Sequence, residues 1–546
     1  MITKGNRYKQ GWPKAAFIIL YSLFISVALI SCRRAEVPAS FTESKIEANI
    51  YPDYRDVTVP VNIAPLHFEL MAKADEVVTR FSGGGEEIVC DGQKARPTID
   101  DWRQLTTKSQ GKAVTVEVFA RQDGQWTRFK PFNIYVSPDS IDPWMSYRLI
   151  SPSYVSFEGL TINQRCLENY DEQIIYNNML CTTEADGQCI NCHNYQRGNP
   201  ERMQFHARLN HGGTLINYDG KLRKVNLKND STISAGVYPA WHPTLPIIAY
   251  STNSTMQMFH TRDLNKIEVL DSRSDLILYD LERNEVSNIE NSPVEFETFP
   301  CWSPDGQWLY YSSAHFENND SISDEGAVIR NYKELKYNIY RKPFDAKTLT
   351  FGPAELVFDA AALGLSATLP RVSPDGRWLL LSVGEWGCFH IWHRDADLWL
   401  IKAPSNLPQL GEASTADNAQ QGGNSSVQPT SSSRGKQEGA SGAFPLSEVN
   451  SPDVEAYHTW SQNGRWIVFS SRRYDGNYTR PFFAHVDKDG HATKPFELPA
   501  DDPDYHRQLM KSYNIPELMR GPVTTTPQQL ADALKKEADK AGFAHK

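Results

Sequence analysis

The sequence predicts a mainly β protein: a small N-terminal β-sandwich, a five- or six-bladed β-propeller, a loop-rich insert between them and a short C-terminal helix. Two observations carry this prediction. From about residue 45 to 146, and again from about residue 231 to 500, short apolar runs of strand length alternate with turn signals, whereas the pattern loosens between these regions. In the second half of the chain one turn-and-strand motif recurs, as expected for β units that stack radially.

Residues 1–31 have the features of an export signal. They contain four basic and no acidic residues, and an apolar run over residues 15–30 is too short to span a membrane comfortably. The run ends in Leu29-Ile30-Ser31-Cys32, which resembles the lipobox of bacterial lipoproteins and implies lipidation of Cys32. An uncleaved anchor helix is the alternative. Either way we expect a membrane-anchored, periplasm-facing protein of the cell envelope, in the outer rather than the inner membrane.

Charge excludes some classes of partner. Removing the four positive charges of residues 1–31 changes the formal net charge from −10 to −14. Nucleic acids and anionic membrane surfaces both require clustered positive charge, so we expect neither as the main partner. A length of 546 residues favours two to four domains.

Residues 32–146 are predicted to form a β-sandwich of immunoglobulin-like type. Apolar runs at residues 66–70, 114–118 and 132–136 have strand length. Asp123-Gly124 supplies a hairpin turn, because both residues tolerate positive φ. Nothing in this segment has catalytic spacing.

Residues 147–230 contain the most specific chemical motif of the chain. Cys189-Ile190-Asn191-Cys192-His193 fits C-x-x-C-H, the spacing at which two thiols attach a haem and the adjacent histidine binds its iron. We therefore predict one covalent haem c held by Cys189, Cys192 and His193, in a segment whose strands would help to close the propeller. A disulfide between the two cysteines and a metal site remain as alternatives.

The second axial ligand of such a haem is expected among the nearest downstream Met and His residues, which are Met203, His206 and His211. His206 is the first candidate and Met203 the second, while a hydrogen-bonded histidine and a core methionine are the ordinary interpretations. An open distal position is also compatible with the sequence. A Cys166–Cys181 disulfide is one option for the remaining cysteines, which are Cys90, Cys166, Cys181, Cys301 and Cys388.

Residues 231–500 contain the recurring motif. Ser-Pro-Asp-Gly-x-Trp occupies residues 303–308 and 373–378, and Ser-Gln-Asn-Gly-Arg-Trp occupies residues 461–466. Pro presets φ, Asp-Gly or Asn-Gly closes the turn and an apolar strand follows, so each copy marks the inner hairpin of a four-stranded blade. Residues 412–443 lack apolar periodicity and are predicted to be a disordered surface insert.

This series resembles the TolB-type β-propeller family of exported bacterial proteins, over roughly residues 205–500. The resemblance implies a propeller that serves as a protein-binding platform in the periplasm. The chain departs from that family in its N-terminal segment and in its C-x-x-C-H motif, which is similar to that of c-type cytochromes over five residues only.

Residues 501–546 are predicted to be a tail with one amphipathic helix. Thr526 precedes Pro527, and Leu530, Leu534 and Ala538 follow at four-residue steps.

The function expected from these features is electron transfer or redox sensing by one haem c, with another envelope protein as partner. The alternative is a non-enzymatic periplasmic scaffold that binds a protein or a glycan without haem. A haem enzyme with an open distal position, acting for example on peroxide, is a third hypothesis. The sequence contains no G-x-S-x-G or H-E-x-x-H motif, and no catalytic residue is predicted.

Overall fold

The structure, a computed structural model, describes residues 35–151, 159–183, 187–319, 321–404 and 442–544. It confirms a mainly β protein, with eight sheets among these residues. The predicted signal segment 1–31, Cys32 and nearly all of the predicted insert 412–443 lie outside the described residues. The helices are short: Ile99–Lys108, Asn178–Leu180, Gln196–Gly198, Asp324–Asn331, Tyr332–Glu334, Ala361–Leu363, His390–Trp392, Tyr505–Gln508 and Pro527–Lys535.

Two sheets form the N-terminal unit. The larger has seven strands, two of whose pairings are parallel. Its strands are Thr42–Glu47, Val57–Pro60, Glu76–Gly83, Glu86–Asp91, Lys112–Gln122, Gln125–Lys130 and Phe132–Ser137. The smaller sheet consists of Ile50–Tyr51, Phe68–Leu70 and Lys94–Ala95.

The N-terminal unit contains one turn that the sequence predicted and one helix that it did not. Gln122 pairs with Gln125 across Asp123-Gly124, whose φ angles are 52° and 77°, so the hairpin forms as predicted. The helix Ile99–Lys108 was not predicted. Its Trp102 is buried in the common core of the unit and donates from Nε1 to the carbonyl oxygen of Ile63 at 3.1 Å.

Six further sheets follow along the chain. The first contains Trp144–Ile150, Thr161–Cys166, Glu172–Asn177 and the C-terminal strand Ser512–Met519, and the second contains Gln188–Tyr195, Arg202–Leu209, Gly213–Tyr218 and Lys221–Asn226. The third contains Val237–Trp241, Ile247–Phe259, Ile267–Asp280 and Glu285–Glu290, and the fourth contains Glu295–Trp302, Trp308–His315, Asn338–Asp345, Thr350–Phe351 and Glu355–Phe358. The fifth contains Ser366–Val372, Trp378–Gly384, Asp397–Lys402 and Ala443–Pro445, and the sixth contains Glu455–Trp460, Trp466–Ser471, Arg480–His485 and Phe496–Glu497.

One edge strand from each of these six sheets contacts its counterpart in the next sheet, and the contacts return to the starting strand. We call them the inner strands, and in order they are Ser512–Met519, Gln188–Tyr195, Val237–Trp241, Glu295–Trp302, Ser366–Val372 and Glu455–Trp460. The circuit closes through the C-terminal strand. Ser512–Met519 pairs with Trp144–Ile150 of the first sheet and also contacts the inner strands of the second and sixth sheets.

The three copies of the recurring motif form the same turn. Ser303, Ser373 and Ser461 each accept a hydrogen bond at Oγ from the backbone N–H of the tryptophan five positions later, at 3.0 Å in every copy. The glycine of each turn has φ between 66° and 73°, a conformation that favours glycine over other residues. The predicted hairpins at these positions are therefore confirmed.

The prediction of a loop-rich insert over residues 147–230 requires correction. The described residues of this segment form strands of the first and second sheets, and the C-x-x-C-H motif lies on the inner strand Gln188–Tyr195. The many Asn and Gln side chains obscured the strand pattern, because several of them are buried and hydrogen-bonded, as in Gln164 and Gln188.

The predicted C-terminal helix is confirmed as Pro527–Lys535, with Thr526 as its N-cap. Leu530 and Leu534 are fully buried in the apolar cluster between the first and second sheets, whereas Ala538 lies beyond the end of the helix. Two short parallel strands follow, Asp539–Lys540 on the second sheet and Gly542–Phe543 on the third. Among the described residues, the apolar helical stretches all fall short of membrane-spanning length.

Candidate functional site

A cavity of about 860 Å³ opens beside the N-terminal halves of several inner strands. Strands of the first, second, third and sixth sheets contribute side chains to its wall, and so does the segment 389–394, which connects two strands of the fifth sheet. We call it the mouth cavity. Its volume lies within the range of small-molecule and cofactor sites, ~300–1,000 Å³.

The two cysteines of the C-x-x-C-H motif both line the mouth cavity. The inner strand bulges between Asn191 and Asn194, where Cys192 adopts a φ of 53°. Cys192 is buried, which raises the pKa of its thiol, and Cys189 is half-buried. All seven described cysteines are free thiols, so neither the Cys189–Cys192 nor the Cys166–Cys181 disulfide is formed in this structure.

The bulge places His193 away from the mouth cavity. His193 lines a second cavity of about 30 Å³ in the middle of the circuit of inner strands, together with His458 and Glu517. Burial lowers the pKa of His193 to about 3, so the ring is neutral, and its Nε2 has no hydrogen-bond partner among the described residues. His193 therefore does not share a cavity with Cys189, although Cys192 borders both cavities.

His206 and Met203, the two candidates for the second axial ligand, lie in different environments. His206 is buried and lines the mouth cavity, its Nδ1 lies 3.1 Å from Thr214 Oγ1, and burial lowers its pKa to about 4. Met203 is 2% exposed and packs in the apolar cluster with Tyr195 and Phe205. Met203 therefore has the ordinary role of a core methionine, and His206 remains as a cavity residue.

The fit of these residues to a covalent haem is partial. Cys189, Cys192 and His206 surround one cavity of suitable volume, whereas the imidazole of His193 lies in the small central cavity. Arg208 donates to Cys189 Sγ at 3.7 Å, which places a charged group where the apolar vinyl edge of a porphyrin would lie. Among the described residues, no group of three His, Cys, Asp or Glu side chains is arranged to hold a metal ion.

Two arginines lie beside the thiols. Arg148 donates from Nη1 to the carbonyl oxygen of Ile190 at 2.8 Å and from Nη2 to Asn514 Oδ1 at 3.0 Å. Arg208 donates from Nε to the amide oxygen of Asn191 at 2.8 Å, in the amide orientation that satisfies both groups. The hydrogen-bond acceptors of both guanidinium groups are therefore neutral.

The rest of the wall is also rich in positive charge. In the part of the chain that the structure describes, five cationic side chains and one carboxylate line the mouth cavity: Arg148, Arg208, Lys266, Arg394, Arg472 and Asp453. Asp453 pairs with Arg394 at 3.1 Å, and the guanidinium of Arg472 lies 4.2 Å from the ring centroid of Trp392. Sequence reasoning missed this cluster, because its members are scattered from residue 148 to residue 472 of an acidic chain.

Aromatic rings and amide groups line the wall together with aliphatic side chains. Several of the rings are half-buried, so one part packs on the protein and another faces the cavity. The aromatic residues are Tyr238, Phe389, Trp392, Tyr457 and Tyr478, and the amide residues are Asn191, Asn253, Gln257, Asn477 and Asn514. Such a surface offers stacking faces and hydrogen-bonding groups to a polar ligand.

Comparisons with known proteins identify no family. No protein-family model and no curated protein matches the chain. Among solved structures, a prolyl endopeptidase is 10% identical with a TM-score of 0.32, and prolyl oligopeptidase B of Galerina marginata is 8% identical with a TM-score of 0.33. A mutant apocarotenoid oxygenase of Synechocystis is 9% identical with a TM-score of 0.34.

The matched regions differ in extent. They cover 66%, 78% and 85% of this chain, and 42%, 44% and 98% of the endopeptidase, the oligopeptidase and the oxygenase, respectively. The chain thus spans less than half the length of the two peptidases. At such TM-scores these similarities support no inference about fold, activity or ligand.

Proposed function

We propose that the six sheets are the blades of a six-bladed β-propeller of TolB type. The closed order of the inner strands supports this proposal, as does the completion of the first sheet by the C-terminal strand Ser512–Met519. The turn that recurs in the fourth, fifth and sixth sheets is the pattern expected of a repeated unit. The N-terminal unit would then be an appended sandwich domain.

We further propose that the protein is a non-enzymatic, saccharide-binding scaffold of the cell envelope, anchored through a lipid on Cys32 and facing the periplasm. The observation that carries this proposal is the mouth cavity. A concave site of about 860 Å³ suits a small ligand better than a folded protein. Its half-buried aromatic rings match the apolar faces of sugar rings, and its amide groups match their hydroxyl groups. A second envelope protein, as the TolB resemblance implies, would bind elsewhere on the surface.

Filling the mouth cavity is expected to abolish this binding. Ala235 is half-buried on the cavity wall, so Ala235→Trp would place an indole ring in the space that a ligand requires. We expect the affinity for a bound oligosaccharide to fall at least about tenfold, which corresponds to about 1.4 kcal/mol. Titration calorimetry with a panel of neutral and acidic oligosaccharides measures the change.

The matched control for this experiment is Ala362→Trp. Ala362 is exposed on a surface turn and does not line the mouth cavity, so the same substitution there should leave affinity unchanged. Undiminished binding by the Ala235→Trp variant would place the ligand elsewhere. Absence of binding to every oligosaccharide of the panel would refute the saccharide-binding function.

The second candidate function is electron transfer or redox sensing by one covalent haem c. It is favoured by one observation, that Cys189 and Cys192 are free thiols on the same cavity wall as His206. In that case the thiols would carry the thioether bonds, and His206 would approach the iron more readily than His193. A bound haem would supply one-electron redox chemistry.

Haem staining of the denatured protein tests this candidate. If haem is covalent, the protein exported in a host with cytochrome c maturation should stain, and the Cys189→Ala/Cys192→Ala variant should not. Cys301→Ala is the control, because Cys301 does not line the mouth cavity. A change in the visible spectrum of a His206→Ala variant, with haem content retained, would identify His206 as an axial ligand. A colourless wild-type protein would exclude the haem hypothesis.

A further inference from the structure

We propose that the mouth cavity is specific for an acidic saccharide, whose carboxylate or sulfate group binds between Arg148 and Arg208. This inference rests on the saccharide-binding function proposed above and specifies its ligand class. It starts from a contrast of charge. The chain has a formal net charge of −10, yet the described residues that line this cavity include five cationic side chains and a single carboxylate. A concave surface of one charge sign concentrates ligands of the opposite sign.

The two arginines are the cations best suited to the anion. The carboxylate on the wall, Asp453, is already paired with Arg394 at 3.1 Å. The hydrogen bonds of Arg148 reach a backbone carbonyl and an amide oxygen, and those of Arg208 reach an amide oxygen and a thiol. These neutral partners hold the guanidinium groups in place without neutralising them.

The two guanidinium groups act on the same part of the cavity. Arg148 donates to the backbone carbonyl of Ile190, and Arg208 donates to the side chain of the next residue, Asn191. Both positive charges also oppose the effect of burial on the pKa of the neighbouring Cys192 thiol. Arg148 and Arg208 reach this point from the first and second sheets, so the fold and not their sequence separation brings them together. Arginine binds carboxylate and sulfate groups through two parallel N–H donors, which gives geometric selectivity as well as affinity.

The surrounding wall indicates that the anion is carried by a sugar. The cavity is far larger than an inorganic anion requires, and Tyr238, Trp392 and Tyr478 present aromatic rings to it. The exposed amide side chains of Gln257 and Asn477 lie on the same wall and offer donors and acceptors to hydroxyl groups. An oligosaccharide with uronic acid or sulfated residues combines these features in one ligand.

The test compares three probes and three variants by titration calorimetry. The probes are oligogalacturonate, a sulfated chondroitin disaccharide and a neutral maltooligosaccharide, and the first two distinguish a carboxylate from a sulfate. The variants are Arg148→Gln, Arg208→Gln and the control Arg283→Gln. Arg283 is largely exposed, pairs with Asp280 on the third sheet and does not line the cavity. Arg283→Gln therefore removes the same charge at a remote site.

We expect at least one acidic probe to bind about 10- to 100-fold more tightly than the neutral probe, with an affinity that falls as salt is added. Arg148→Gln and Arg208→Gln should each remove most of that preference, and Arg283→Gln should retain it. Arg208 is exposed, so its variant keeps the test valid even if Arg148→Gln fails to fold.

The results that would refute acidic specificity differ from those that would refute saccharide binding altogether. Equal binding of acidic and neutral probes, or an acidic preference that survives Arg208→Gln, would overturn the inference and leave the saccharide-binding function intact. Binding of no probe by the wild-type protein would refute both.

Discussion

Replacing Arg473 by Met is expected to lower the free energy of unfolding by about 3–5 kcal/mol. Arg473 Nη2 lies 3.0 Å from Glu455 Oε1, and the Glu455 side chain is fully buried at the start of the inner strand Glu455–Trp460. Burial raises the pKa of this carboxyl group, and the positive charge of Arg473 opposes that shift. Without Arg473 the carboxylate keeps its hydrogen bonds from Ser451 and Ser471 but loses its cation.

Urea unfolding near neutral pH measures this loss. Arg377→Met is the matched control, because Arg377 is exposed and pairs only with the neighbouring Asp375, so its replacement should change stability by no more than about 0.5 kcal/mol. A Glu455→Gln/Arg473→Met double variant should recover part of the stability, since it removes the buried charge together with its partner. A loss below about 1 kcal/mol for Arg473→Met alone would contradict the assigned role of the pair.

A second large effect is expected from Glu297, which is 3% exposed on the inner strand Glu295–Trp302. Burial, together with the charges of Glu290 and Asp275, raises its pKa to about 9 from the usual 4.5. Between these two pH values the folded protein holds a proton that the unfolded chain has released. The free energy of unfolding should therefore fall as pH rises, by about 1.4 kcal/mol per pH unit from this group alone.

Glu297→Gln retains the shape of the side chain and removes its titration. We expect the variant to gain stability relative to the wild type at each step from about pH 6 to about pH 9, because only the wild-type sequence has an unfolded state that is favoured by release of the proton from residue 297. Urea unfolding of both proteins across this range measures the difference, and other buried groups cancel because they titrate in both. Glu282→Gln, at an exposed position, is the control. A difference that stays constant with pH would show that Glu297 does not titrate in this range.

Local chemistry explains which elements the sequence predicted correctly. The Ser-Pro-Asp-Gly-x-Trp turns and the helix capped by Thr526 are specified by adjacent residues, so they could be located without any knowledge of the fold. The helix Ile99–Lys108 has similar local signals, with Thr98 as N-cap and acidic residues in its first turn. It was missed because the surrounding strand pattern was extended across it.

The candidate site could be predicted only in part. The C-x-x-C-H motif identified Cys189 and Cys192 as candidate site residues, and both line the mouth cavity. Its spacing could not reveal the strand bulge that places His193 in the small central cavity instead. Arg148 and Arg208 belong to no motif, and they line the same cavity because two separate sheets pack against each other. Sequence patterns therefore identified site residues that lie close together in the chain. They missed site residues that only the folded structure brings together.

The inner strand Ser512–Met519 also determines when, during synthesis of the chain, the first sheet can be completed. Its partner Trp144–Ile150 lies more than three hundred positions earlier in the chain, so the edge of the first sheet is completed only after the inner strands of the other five sheets have been synthesised. Until then the nascent polypeptide exposes an unpaired strand edge, which is a template for aggregation. A stop codon before residue 512 would consequently leave unpaired the edge of a sheet whose other three strands end by residue 177.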